Sequence, residues 1–199
     1  GQGAAPKRLY RAIDQPRPFF RQIFAVIMKE RGVGVSGTYR HGRAPKDARI
    51  LARLDSDGLG VIVGRMNKHS SNFMAEHVLR AVAAETAGAP GTSENGVVAM
   101  EKYLVSLGNS PGGFKVVNGS GLSRDISISA SLISGLMVDM YHDRMVGPEF
   151  VASMSIGGED GTLWSRFRGK SQKGRVRGKT GSLNGVHGLT CYVDGNNDG

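Results

Sequence analysis

The sequence predicts an α/β protein, mostly helical, with one β-hairpin near its C-terminal end. Apolar residues recur at helical spacing in five separate stretches. Two stretches that read as strands, Arg175 to Gly181 and Gly188 to Val193, are joined by a short loop at Leu183-Asn184-Gly185, and Asn184-Gly185 is a strong hairpin mark. A chain of 199 residues with 39% apolar side chains is long enough for one substantial core. Two adjacent strands make a poor sheet alone, so the sheet is expected to be completed by chain outside this sequence.

The first helix follows Pro16 and Pro18. Phe19, Phe20, Ile23, Phe24, Ile27 and Met28 fall on one stripe, Arg21, Gln22, Lys29 and Glu30 face away, and Gly32 marks the end. Val33 to Gly37 reads as a short extended exit. Arg49 to Leu54 alternates and predicts a short strand. A helix over Leu59 to Lys68 is expected next, then one from Asn72 to Glu85 with Phe73, His77, Val78, Ala81 and Val82 on its buried side. The break Gly88-Ala89-Pro90-Gly91-Thr92-Ser93 caps a helix from Glu94 to Leu107, which Gly108-Asn109 closes. Phe114 to Val117 reads as a short strand. Ser129 to His142 reads as a helix with Leu132, Ile133, Leu136, Met137, Met140 and Tyr141 inward. The tail from Asp194 to Gly199 is polar and expected to be mobile.

No run of eighteen apolar residues is present, so no membrane span is predicted. One cysteine excludes an internal disulfide, and Cys191, in an apolar strand, reads as a small buried hydrophobe. The net charge of +9 invites a nucleic-acid reading. Its only cluster is Arg166, Arg168, Lys170, Lys173, Arg175, Arg177 and Lys179, and no stacking aromatics or zinc-ligand spacing accompany it. A solvated basic surface is the better reading, one that would also attract an anionic cell-wall polymer. The five histidines show no zinc-type pairing, so no metal or cofactor is expected. His77 reads as a core residue and His187 as an exposed loop residue.

Two short motifs carry chemistry. Ser70-Ser71-Asn72 has the Ser-x-Asn pattern, and Lys179-Thr180-Gly181 is Lys-Thr-Gly. Each alone is weak: Ser70 and Asn72 could simply join two helices and cap the second, and Lys-Thr-Gly could be a surface hairpin. The third motif of this set, Ser-x-x-Lys, is absent, since no serine is followed three positions later by lysine. The surroundings decide. Met66-Asn67-Lys68-His69-Ser70-Ser71-Asn72-Phe73-Met74-Ala75-Glu76, Asn118-Gly119-Ser120-Gly121-Leu122-Ser123-Arg124, Glu159-Asp160-Gly161-Thr162-Leu163 and Gly174-Arg175-Val176-Arg177-Gly178-Lys179-Thr180-Gly181-Ser182-Leu183 follow in that order. From about Tyr10 to the end, the chain resembles the class C low-molecular-mass penicillin-binding proteins, the D-alanyl-D-alanine carboxypeptidases and endopeptidases. Asn118 stands where that family usually has Asp, and Cys191 where a small residue such as Gly is common.

The resemblance implies part of a β-lactamase/transpeptidase-like domain. Residues 1–45 would be the end of an inserted region and a lead-in helix, and 46–199 the C-terminal part of the penicillin-binding domain, incomplete at both ends. It implies serine-type carboxypeptidase or endopeptidase chemistry on peptidoglycan peptides through an acyl-serine, in the periplasm or cell envelope, with β-lactam antibiotics as further ligands. Ser70 would relay a proton, Asn72 would meet the substrate backbone, and Lys179 with Thr180 would hold a terminal carboxylate. Gly181 would let substrate lie against the strand, and the Ser182 N–H would donate to the oxyanion. Ser123 and Arg124 read as structural. Without Ser-x-x-Lys the chain alone is expected to be inactive. The rival is a non-catalytic peptidoglycan-binding module. A binder of acidic polymers or nucleic acid rests on charge alone.

Overall fold

The computed structural model describes residues 13–195, and the chain divides into two compact units, Gly1–Arg53 and Leu54–Gly199. The first unit contains α1, Pro16–Glu30, begun by proline and ended by backbone bonds from Arg31. Its apolar stripe forms as the spacing predicts, but no residue of α1 is buried, and Phe20 is 71% exposed. Residues 38–58 carry no regular structure apart from a turn, so the strand expected over Arg49 to Leu54 does not form. Ile50, Leu51 and Leu54 are all highly exposed, so the alternation buries no apolar face and gains nothing from strand formation.

The second unit holds α2 (Leu59–His69), α3 (Asn72–Ala87), α4 (Ser93–Ser106), α5 (Ala130–His142), α6 (Gly147–Ser153), β1 (Ser155–Ile156), β2 (Val176–Leu183) and β3 (Val186–Val193). Three of the helices start on hydroxyl caps: Ser71 accepts from Met74 N–H, Thr92 from Asn95 N–H and Ser129 from Leu132 N–H. A core of Leu104, Val116 and Leu132, with Val97, Met100, Phe114, Ile128 and Ile133 around it, joins α4 and α5 to the chain between them. The strand expected at Phe114 to Val117 contracts to a single bridge, Lys115 to Ser127.

The buried face of α3 differs from the expected one. Leu79 and Ala83 are buried, whereas Phe73 is 73% exposed and His77, Ala81 and Val82 are exposed. The helix is apolar on two sides, and α4 selects one. Gly96 lies against Leu79 so closely that a Cβ there would sit 2.6 Å from the Leu79 Cγ. His77 instead stacks on Phe73 at 4.1 Å and bonds the Phe73 carbonyl. On α5, Leu132 and Met137 are buried as expected, but Tyr141 is 60% exposed, its ring 5.4 Å from that of Tyr192.

The sheet is antiparallel with order β1-β2-β3. Leu183 opposite Val186 leaves a two-residue turn, Asn184-Gly185, at the expected place. Strand β1 has no counterpart among the expected elements; it pairs Ser155 with Gly178 and Ile156 with Arg177 and goes no further. Cys191 is partly buried on β3.

Candidate active site

Ser70 occupies the two-residue junction between α2 and α3. It caps the C-terminus of α2 in the left-handed region, at φ 51° and ψ 49°, a conformation seldom tolerated by residues other than glycine. Ser71 then caps α3, and Asn72 is that helix's first residue. The junction is anchored from behind. Asn67 Nδ2 donates to Ser153 Oγ at 2.8 Å, and Lys68 Nζ forms a short ion pair with Asp160. The other carboxylate oxygen of Asp160 accepts from Ile156 N–H at 2.7 Å, so one side chain ties α2 to β1. Burial alone would raise the Asp160 pKa, but hydrogen bonds from Lys68 and Ile156, with the charges of Lys68 and Arg177, hold it below the ordinary aspartate value.

Lys179 meets Ser70 from β2. Its Nζ donates to Ser70 Oγ at 2.8 Å and also to the Thr180 carbonyl, although Lys179 and Ser70 are 109 positions apart. Burial pushes the Lys179 ammonium below the usual lysine range. Thr180 Oγ1 donates to Thr162 Oγ1 at 2.9 Å. Thr162 is held in turn by the fully buried Ser155, whose Oγ accepts from Thr162 N–H at 3.1 Å. That contact needs Gly161, which takes φ 53° and leaves no room for a Cβ: one would fall 2.2 Å from Ser155 Oγ.

The outer half of β2 keeps one edge open. Gly157 N–H donates to the Val176 carbonyl, so the backbone groups of Val176 face β1. Strand alternation turns those of Gly178, Thr180 and Ser182 the same way. Because β1 stops opposite Gly178, Thr180 and Ser182 present their backbone groups to a cleft. The cleft measures about 700 Å³ and is lined by Ser70, Asn72, Thr162, Lys179, Thr180, Gly181 and Ser182, with Ser120 to Arg124 opposite. A side chain at Gly181 would meet nothing within 4 Å, so the space over the strand is open. All six residues singled out by sequence therefore share one cleft.

The glycine-rich loop closes the far wall. Glu76 accepts from Ser120 N–H at 2.9 Å, and hydrogen bonds from Ser120 hold its carboxyl below the usual glutamate range. Arg124 Nη2 donates to the Asn184 carbonyl at 2.6 Å, pinning the loop to the hairpin turn. Ser123 and Arg124, expected to be structural, also line the cleft. His187 is exposed as expected, but it lies on β3 rather than in a loop, lines the cleft, and bonds Ser182 Oγ through Nδ1 at 3.1 Å. The sequence assigned no task to Thr162, Ser155 or Asp160; the signal available was their place in or beside the Glu159 to Leu163 block.

A helix junction presenting a serine to the ammonium of a Lys-Thr-Gly strand, beside an open strand edge, defines a β-lactamase/transpeptidase-like domain. The chain belongs to the D-Ala-D-Ala carboxypeptidase 3 (S13) family, whose model matches residues 1–199. It is 34% identical over 203 residues to the D-alanyl-D-alanine carboxypeptidase of Actinomadura sp. (strain R39), covering 96% of this chain and 37% of that protein. It is 25% identical over 186 residues to the D-alanyl-D-alanine carboxypeptidase DacB of Haemophilus influenzae, covering 92% of this chain and 38% of that one. Among solved structures, penicillin-binding protein 4 of Haemophilus influenzae in complex with a β-lactam superposes with a TM-score of 0.76 at 26% identity, over 90% of this chain and 42% of that chain. The chain thus spans well under half the length of these relatives. Among the described residues, no helix is long and apolar enough to cross a membrane.

Proposed function

We propose that this chain supplies two of the three motifs of a serine-type D-alanyl-D-alanine carboxypeptidase/endopeptidase acting on peptidoglycan peptides in the bacterial envelope. The nucleophile motif, Ser-x-x-Lys, would come from outside these 199 residues, with 1–45 closing an inserted region and 46–199 belonging to the penicillin-binding domain. The observation that carries this reading is the 2.8 Å bond from Lys179 to Ser70 beside the open edge of β2. Ser70, able to donate and accept, would pass a proton between nucleophile and leaving group. Asn72 would bond the substrate backbone. Lys179 and Ser182 would receive the terminal carboxylate through charge-assisted bonds, joined by Thr180 once its hydroxyl proton turns away from Thr162 Oγ1. Substrate would lie along β2 as an added strand over Gly181, with its carbonyl oxygen near the Ser182 N–H. The same groups would hold the carboxylate of a β-lactam.

A labelled penicillin tests the reading. The full-length protein should form a stoichiometric covalent adduct, mapped by mass spectrometry to the serine of a Ser-x-x-Lys motif, while the 199-residue chain alone should form none. An adduct on a serine of this chain would overturn the motif assignment. Reversible binding of peptidoglycan without any adduct in the full-length protein would favour a non-catalytic binding module, the reading that the missing nucleophile otherwise permits.

A further inference from the structure

Ser182 and His187 are directly opposed on the hairpin, and the His187 Nδ1 lies 3.1 Å from the Ser182 Oγ. Both side chains are exposed in the cleft, and neither is buried in a way that would assign the contact to folding. A serine hydroxyl has one proton. When His187 Nδ1 is unprotonated, that proton is drawn to the ring and a lone pair faces the cleft. When the ring is an imidazolium, Nδ1–H donates to Oγ and the hydroxyl proton is released toward whatever lies in the cleft.

We propose that His187 is a positioning residue whose protonation state sets whether the Ser182 hydroxyl donates to a carboxylate in this cleft. The inference rests on the carboxylate-binding role proposed above for Lys179, Thr180 and Ser182. The other charged groups lining this cleft are Lys179 of β2 and Arg124 of the opposite loop, both cations, and no carboxylate among the described residues lines it. The cleft is therefore disposed to an anion, and the orientation of one more donor changes how tightly it is held. With the neutral ring's proton on Nε2, the donor is supplied when the imidazole is charged and withdrawn when it is neutral.

The experiment is the second-order rate of acylation of the full-length protein by labelled penicillin between pH 5 and pH 8, for the native sequence, His187→Phe and Ser182→Ala. Each variant's rate is divided by the native rate at the same pH, which removes the titration of Lys179 and of the nucleophile's own base. The native protein should lose roughly three- to tenfold in rate relative to His187→Phe as pH rises, the size expected of one solvent-exposed hydrogen bond. Ser182→Ala should remove the same step while keeping the imidazole. If the step persists in Ser182→Ala, the imidazolium acts by charge alone and the proposal falls. Parallel profiles for all three proteins also overturn it, leaving the reading of the site intact. Absence of acylation in the native protein at every pH would overturn that reading and this inference together.

Discussion

Ser70 is constrained twice, by a left-handed backbone and by the ammonium of Lys179. A non-glycine residue in that region costs on the order of 1 to 3 kcal/mol and persists only where its surroundings over-determine it. Asp160 is the anchor that does so, through Lys68 on one side and the Ile156 N–H on the other. Replacing it with Asn removes the ion pair while keeping a side chain of similar size. Because the pair is partly solvated, its loss should cost only about 1 kcal/mol at neutral pH. The folded carboxyl titrates below its unfolded value, so the folded state binds fewer protons. Its stabilisation is therefore complete above the unfolded pKa, about 3.9, and fades as pH falls through and below it. Urea midpoints of the native chain and Asp160→Asn should differ at pH 7 and draw closer as pH falls below the unfolded value; an equal difference at pH 7 and pH 3 would show that the carboxylate charge plays no part.

At the scale of the element, the turn before β2 does more than connect. Gly161 lets Ser155 reach Thr162, and Thr162 reaches Thr180. Gly161→Ala would force a Cβ into Ser155 Oγ from a positive-φ backbone. The combined strain and overpacking should destabilise the fold by roughly 2 to 4 kcal/mol. Thermal unfolding checks this, and a loss below about 0.5 kcal/mol, the size of an ordinary surface substitution, would mean the turn yields freely. Five helices and the hairpin were legible because spacing and caps are local: Thr92 and Ser129 announce α4 and α5, and Asn184-Gly185 announces the turn, whereas the seven-residue α6, with no side-chain cap, was not expected. The buried face of α3 was not legible, because Leu79 becomes the inside only once Gly96 of α4 is brought against it. Nor was β1, a two-residue strand that exists only because Gly178 and Arg177 receive it. The Arg49 to Leu54 alternation misled because it covers no core: Ile50, Leu51 and Leu54 all remain exposed. The site's motifs could be read as short strings, whereas the Thr162 and Asp160 supports join residues 18 and 92 positions apart.

For the whole molecule, the charge distribution separates a positioned cation from a general field. The chain carries +9, and from Gly161 to Val193 it has no Asp or Glu while carrying Arg166, Arg168, Lys170, Lys173, Arg175, Arg177 and Lys179. Such a surface should speed the arrival of any polyanion and should weaken as salt rises. Lys179 differs from its neighbours in aiming its ammonium at Ser70, with burial holding that ammonium below the usual lysine range. In the full-length protein, Lys179→Ala should slow acylation by penicillin and by a D-Ala-D-Ala peptide roughly ten- to a hundredfold, as loss of about 1.5 to 3 kcal/mol of charge-assisted bonding requires. Lys173 is exposed in the preceding loop, and Lys173→Ala should change the rate by less than about twofold. Raising the salt to about 0.5 M should erase the small effect and leave most of the large one, since a half-buried contact is screened less than a solvated one. Equal losses for the two variants, both vanishing at high salt, would mean that Lys179 contributes only to a basic surface and that its contact with Ser70 has no part in acylation.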